Sequence, residues 1–138
     1  MSSTKRLIPF LLCLFLLCLA GCGQPEPYNL RKDIDEITSA EIAICTEESE
    51  ITVDEILVTL STEDAQAMAM ELETLECEYI NPPIHQIAGQ TIIIYYNDGS
   101  REFVTSLSNR YFTGDRQYYG CRVFDYQEFD NLISKYMG

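Results

Sequence analysis

Thr91-Ile92-Ile93-Ile94-Tyr95-Tyr96-Asn97-Asp98-Gly99-Ser100-Arg101-Glu102-Phe103-Val104-Thr105 decides the fold. Two runs rich in β-branched and aromatic residues flank an Asp-Gly pair that can take the positive φ of a tight turn, which is a strong hairpin signal. With Asp98-Gly99 as a two-residue loop, Ile94 is expected to face Phe103 and Ile93 to face Val104. Cross-strand pairs of this kind contribute about 0.2–1 kcal/mol each, so the hairpin is expected at the centre of a sheet.

Working outward on the N-terminal side, Glu41-Ile42-Ala43-Ile44-Cys45 alternates with a period of two, placing Ala40, Ile42 and Ile44 on one face of a first strand. In the run Ile51 to Leu60 the apolar parity changes across Asp54-Glu55, which predicts a bulge or bend there. Ser61-Thr62-Glu63-Asp64 opens a helix, with Ser61 as cap and two acids at the positive end of the dipole. Ala65, Met68, Ala69, Leu72 and Leu75 form its inward stripe. Cys77 to Ile80 reads as a short strand stopped by Asn81-Pro82-Pro83, and Ile84 to Gln90 as a loop holding His85.

On the C-terminal side, Thr113-Gly114-Asp115-Arg116 is a turn and Tyr118 to Phe124 a further strand. Asp125 caps a last helix whose inward stripe is Phe129, Leu132, Ile133 and Tyr136, with Glu128 able to reach back to the cap. The order lacks βαβ alternation. It predicts an α+β fold with a mostly antiparallel sheet of about five to six strands and two helices packed on one face.

The chain begins differently. Lys5 and Arg6 precede the apolar run Leu7 to Ala20, which is shorter than the roughly 20 residues a spanning helix needs and ends in Gly21, Gly23, Gln24 and Pro25. Leu19-Ala20-Gly21-Cys22 resembles the lipobox of bacterial lipoproteins. That resemblance implies a signal peptide over residues 1–21, diacylglycerol on Cys22, and localisation at the cell membrane on the extracytoplasmic face. Two acyl chains hold firmly where one binds marginally, because each buried CH₂ contributes about 0.8 kcal/mol. Residues 22–34 then read as a polar, proline-containing tether and residues 35–138 as a single domain. In plan the whole chain resembles small uncharacterised lipoproteins of Gram-positive bacteria.

Charge narrows the partners. After residue 21 the chain keeps 7 basic and all 22 acidic residues, a formal charge of −15. Nucleic acid and anionic headgroups are poor partners for that field. Residues 22–78 carry 16 of the acids against Arg31 and Lys32, an acidic flank that reads either as solvated surface or as a face for a cationic partner or loosely held calcium. Glu47, Glu48, Glu50, Asp54 and Glu55 lack the ordered spacing and glycine of an EF-hand loop.

Catalytic motifs are weak. His85 is the single histidine, without a Gly-x-Ser-x-Gly elbow and without companions for zinc. Carboxylates abound, but glycoside hydrolysis needs a set separation across a cleft, which abundance does not supply. Cys45, Cys77 and Cys121 leave open one disulfide among three pairings or three free thiols. Eleven of the 15 aromatic residues fall from Tyr95 onward. Most suit strands and core, while Tyr111, Tyr118 and Tyr126 are the candidates for a contact surface, since tyrosine joins a flat apolar ring to a polar end. These readings predict a non-catalytic, membrane-anchored domain that binds another protein, with no cofactor or metal site. The alternatives are a lipoprotein binding cell-wall glycan or peptide, and a small hydrolase using carboxylates or His85.

Overall fold

A computed structural model describes residues 25–80, 85–120 and 122–138. The lipobox, Cys22 and the signal segment lie outside the described residues, as do Asn81 to Ile84 and Cys121. Along the chain run β1 (Glu26–Pro27), a 3-10 turn (Ile34–Glu36), β2 (Ile37–Glu47), β3 (Ile51–Leu60) and α1 (Thr62–Leu72). There follow β4 (Glu76–Tyr79), β5 (Ala88–Tyr96), β6 (Arg101–Val104), β7 (Asn109–Thr113), β8 (Arg116–Gly120), β9 (Arg122–Phe124) and α2 (Tyr126–Tyr136). The fold is α+β and its pairings are antiparallel: a six-stranded sheet ordered β3-β2-β5-β6-β7-β8 and a three-stranded one ordered β1-β4-β9. No helix among the described residues is long and apolar enough to cross a membrane.

The hairpin β5–β6 does lie at the centre, but its register differs from the expected one. Ile93 pairs with Phe103, Ile92 with Val104 and Ile94 with Glu102. The loop holds three residues, Asn97 to Gly99: Tyr96 N–H donates to the Ser100 carbonyl at 3.0 Å and Gly99 N–H to the Tyr96 carbonyl at 3.1 Å. Gly99 sits at φ +87°, the left-handed position that a three-residue loop with a glycine bulge requires. Asp98 accepts from the Ser100 N–H at 2.9 Å and pairs with Lys32 at 2.7 Å, contacts that hold its carboxyl well below the usual range, Lys32 foremost. One extra loop residue turns β6 over relative to β5. Glu102 therefore points to the face of Ile94, into the core.

That face is the main core. Ala40, Ile42, Ile92, Ile94 and Val104 pack beneath Ala65, Met68, Ala69 and Leu72 of α1 and Phe129, Leu132 and Ile133 of α2. Each large aliphatic or aromatic side chain buried this way contributes about 1.5–3 kcal/mol. Ser61 caps α1 by accepting from Asp64 N–H, and Asp125 caps α2 by accepting from Gln127 and Glu128 N–H at 3.1 Å. Glu71 joins the helices, accepting from Tyr136 Oη at 2.5 Å and pairing with Lys135.

The opposite face carries a smaller cluster of Ala43, Cys45, Ile87, Ile93 and Phe103. Here Arg110 is buried and its guanidinium pairs with Glu47 at 3.0 Å and donates to the His85 carbonyl at 3.0 Å, while Glu47 also accepts from Ile87 N–H. These bonds fasten the segment that brings Ile87 onto the sheet. Strand β3 reaches both faces through two irregularities. Its pairing with β2 skips Asp54, at the expected bulge, and also Leu57, so Val53 and Ile56 share one face while Val58 and Leu60 turn to the other.

Three further expectations change. Residues 25–34 are part of the fold, not tether, since β1 pairs with β4 and Tyr28 and Leu30 are buried in the core. Strand β7 occupies a stretch not expected to be one. The expected strand Tyr118 to Phe124 is divided between the two sheets, β8 in one and β9 in the other.

Candidate functional site

The register of β6 creates a buried polar centre. Glu102, 1% exposed, receives three donors: Tyr28 Oη on Oε2, Tyr96 Oη on Oε1 at 2.7 Å, and the Arg31 backbone N–H on Oε1 at 3.0 Å. A buried carboxyl must have its hydrogen-bonding capacity met, and these three meet it. Burial pushes the Glu102 carboxyl above the usual range, while its donors and the Arg31 charge pull the other way. Burial and the facing Glu102 likewise drive the Tyr28 and Tyr96 hydroxyls upward. The backbone around Tyr28 is fixed by its N–H donating to the Leu75 carbonyl at 3.0 Å, and its ring packs on Phe124 at 5.1 Å.

Above this centre lies a cleft of about 520 Å³ lined by Tyr28, Asn29, Leu30, Arg31, Tyr79, Asn109, Tyr119, Gly120 and Arg122. It sits where the end of the six-stranded sheet meets the small one. Two guanidiniums line it and, among the described residues, no carboxylate is part of the lining, although Glu26 reaches Arg122 from the adjoining hollow, in a chain where acids outnumber bases 22 to 9. Arg31 lies 5.7 Å from the Tyr111 ring centre and 5.9 Å from that of Tyr118, within the range of a cation–π attraction to both rings. Arg122 lies 5.2 Å over Tyr79 and meets Glu26 at 3.3 Å across a largely solvated bridge. Asn109 is buried and donates through Nδ2 to the Arg122 carbonyl at 3.0 Å. Its side chain crosses Gly120 so closely that a Cβ there would lie 1.3 Å from Oδ1. A side chain at 120 would therefore displace the Asn109 amide from its place on the Arg122 carbonyl.

The candidate contact residues do not form one surface. Tyr111 is only 9% exposed, its ring packed 6.0 Å from Tyr118 on the core face, which corrects its reading as a free contact residue: β7 places it opposite Glu102. Tyr118 is 39% exposed beside Arg31. Tyr126, 74% exposed, stands at the start of α2 over a separate hollow with Leu107 and Phe129. Residues missed by sequence reasoning are Tyr28, Arg31, Tyr79, Glu102, Asn109, Gly120 and Arg122. The usable signal was the alternation of Tyr28 and Leu30 within an otherwise polar segment.

Other candidates are occupied differently. The His85 carbonyl holds Arg110, and Glu47 is taken by the same guanidinium. Asp54 accepts from the Thr46 hydroxyl at 2.9 Å. Among the described residues no three His, Cys, Asp or Glu side chains gather as metal ligands. Cys45 and Cys77 are buried free thiols, both pushed upward by burial, so they do not pair with each other. No protein-family model, curated protein or solved structure matches this chain.

Proposed function

We propose that this chain is a lipid-anchored extracytoplasmic domain that binds another protein without catalysing a reaction, held on the cell membrane through Cys22. The observation that carries the binding half of this reading is the cleft walled by Arg31, Arg122 and the exposed Tyr79, residue types that dominate protein contacts. The anchoring half rests on Leu19-Ala20-Gly21-Cys22 following a basic start and an apolar run. The non-catalytic reading is supported by the position of Glu102. Its raised carboxyl would be the natural general acid, yet it is enclosed by Tyr28, Tyr96 and backbone, where it holds structure rather than substrate.

Binding of wall glycan or peptide is the second reading, and the tyrosines at the cleft favour it over hydrolysis. Crosslinking of the protein on intact cells, followed by identification of the adducts, tests both. A discrete protein adduct is the expected result. Recovery of glycan without a stoichiometric protein would transfer the reading to the second, and recovery of neither would overturn both.

A further inference from the structure

We propose that the cleft between Arg31 and Arg122 is the contact site of the domain and binds a carboxylate carried by an extended segment of the partner protein. This deepens the protein-binding reading above and rests on it. Four observations converge. First, the cleft's lining among the described residues is cationic with Tyr79 exposed beside it, against the acidic trend of the whole chain. The hollow that adjoins it across Tyr28, Asn29 and Arg122 carries Glu26 and Glu73, so the cationic lining ends at Arg122.

Second, the protein already places a carboxylate on one of the two guanidiniums. Glu26 meets Arg122 at 3.3 Å with side chains 63% and 32% exposed. Exposed bridges of this sort contribute about 0–1 kcal/mol, so an incoming carboxylate can exchange with Glu26 at little cost. Third, Arg31 makes no ion pair within 4 Å with a described residue, its charge acting on the buried Glu102 from a greater distance, and its guanidinium lies within cation–π range of Tyr111 and Tyr118. A planar guanidinium matches a carboxylate in two parallel hydrogen bonds.

Fourth, β8 is the last strand of its sheet and ends at Gly120, on the cleft wall. Its outer edge is unpaired among the described residues and offers backbone groups to an extended chain, with Tyr79 on the cleft wall and Tyr118 on the strand itself to flank side chains. A carboxylate is favoured over a phosphate by the field of a chain with formal charge −13, because repulsion doubles for a dianion. The carboxylate can be a chain terminus or an acidic side chain, which the test separates.

The full chain in detergent micelles, with its arginines isotope-labelled, is titrated with three peptides and with inorganic phosphate while the Nε–Hε resonances of Arg31 and Arg122 are followed. The peptides are acetyl-Thr-Val-Thr-Val with a free C-terminus, the same peptide amidated, and amidated acetyl-Thr-Val-Glu-Val. Both resonances are expected to shift with at least one of the carboxylate peptides below about 10 mM, and with the neutral peptide not at all. Response to the first marks a terminus as the source, and response to the third a side chain. Arg31→Gln is expected to weaken binding at least about tenfold, having lost a charge-assisted pair. Glu26→Gln is expected to tighten it about two- to fivefold by removing the internal competitor. Absence of shifts with both carboxylate peptides, equal shifts with the neutral one, a larger effect from inorganic phosphate, or indifference to both substitutions overturns the proposal. Such a failure together with a protein adduct on cells would remove this site and leave the binding domain standing.

Discussion

Replacing Glu102 by alanine should be among the most damaging single changes in this protein, although glutamate on a strand is ordinarily a surface residue. The substitution orphans the Tyr28 and Tyr96 hydroxyls and the Arg31 N–H at once. Unpaired buried donors cost about 1–3 kcal/mol each, so the two buried hydroxyls alone account for about 2–6 kcal/mol, before the part-buried Arg31 N–H or any cavity is counted. Domains of this kind have about 5–15 kcal/mol in total, and about 3 kcal/mol corresponds to a fall of roughly 12 °C in Tm. Glutamine keeps the shape, and its carbonyl can still accept from Tyr96 and Arg31 while the Tyr28 hydroxyl turns to accept from its amide. That variant should lose about 1 kcal/mol at pH 4.

The pH dependence carries a definite sign. The folded carboxyl of Glu102 lies above its ordinary value, so the native state holds the proton more tightly than the unfolded chain. Stability from this group is therefore fully present below the unfolded pKa of about 4.3 and is lost as pH rises through the folded value. Glu102→Gln removes that slope, so the gap between it and the parent should narrow from pH 4 upward. Urea denaturation followed by far-UV circular dichroism and tyrosine fluorescence measures it, tyrosine being the usable fluorophore in a chain without tryptophan. An alanine variant within about 1 kcal/mol of the parent, or a glutamine gap that widens with pH, would refute the reasoning.

Other outcomes follow from the same structure. Glu47→Ala leaves Arg110 buried without its partner and should cost about 3–5 kcal/mol in the same denaturation assay, far more than loss of the solvated Glu26–Arg122 bridge. Gly120→Ala should broaden or shift the Asn109 side-chain amide resonances, because a Cβ displaces Oδ1. Native Cys45 and Cys77 should resist iodoacetamide at pH 8 and react once urea unfolds the domain, burial having both hidden them and raised their thiols. Cys22→Ser should move the protein from the membrane to the soluble fraction and leave its signal uncleaved; retention on the membrane would contradict lipid anchoring.

The elements that sequence made legible are those specified by local chemistry. Alternation marked β2, a serine and an aspartate marked the helix starts, and Met68 fell in an apolar stripe that the core absorbs while Met70 stays exposed. The register of β5–β6 was not legible. Asp98-Gly99 fits either a two-residue or a three-residue loop, and the longer loop is supported by contacts remote in sequence: Asn97 N–H on the Glu36 carbonyl and Lys32 on Asp98. That single residue decides whether Glu102 shares the face of Ile94 and the main core or the opposite face of Tyr95 and Ile93. Strand β7 was hidden for a related reason. Its Asn109 and Arg110 look like surface residues, but Arg122 and Glu47 supply buried partners from 13 and 63 positions away. Likewise β1 is two residues long, and its pairing with β4 spans 51 positions between Glu26 and Cys77. The cleft is assembled from those illegible pieces, so the site could not be read before the fold.

The measurement that bears most directly on the proposed function is site-specific photocrosslinking on intact cells, with the photoreactive residue at position 118 beside Arg31 and, in a parallel strain, at position 63 on α1. The account predicts a discrete protein adduct from position 118 that Arg31→Gln abolishes and that position 63 does not give. Adducts that form equally from both positions, or that persist without the Arg31 guanidinium, would contradict it.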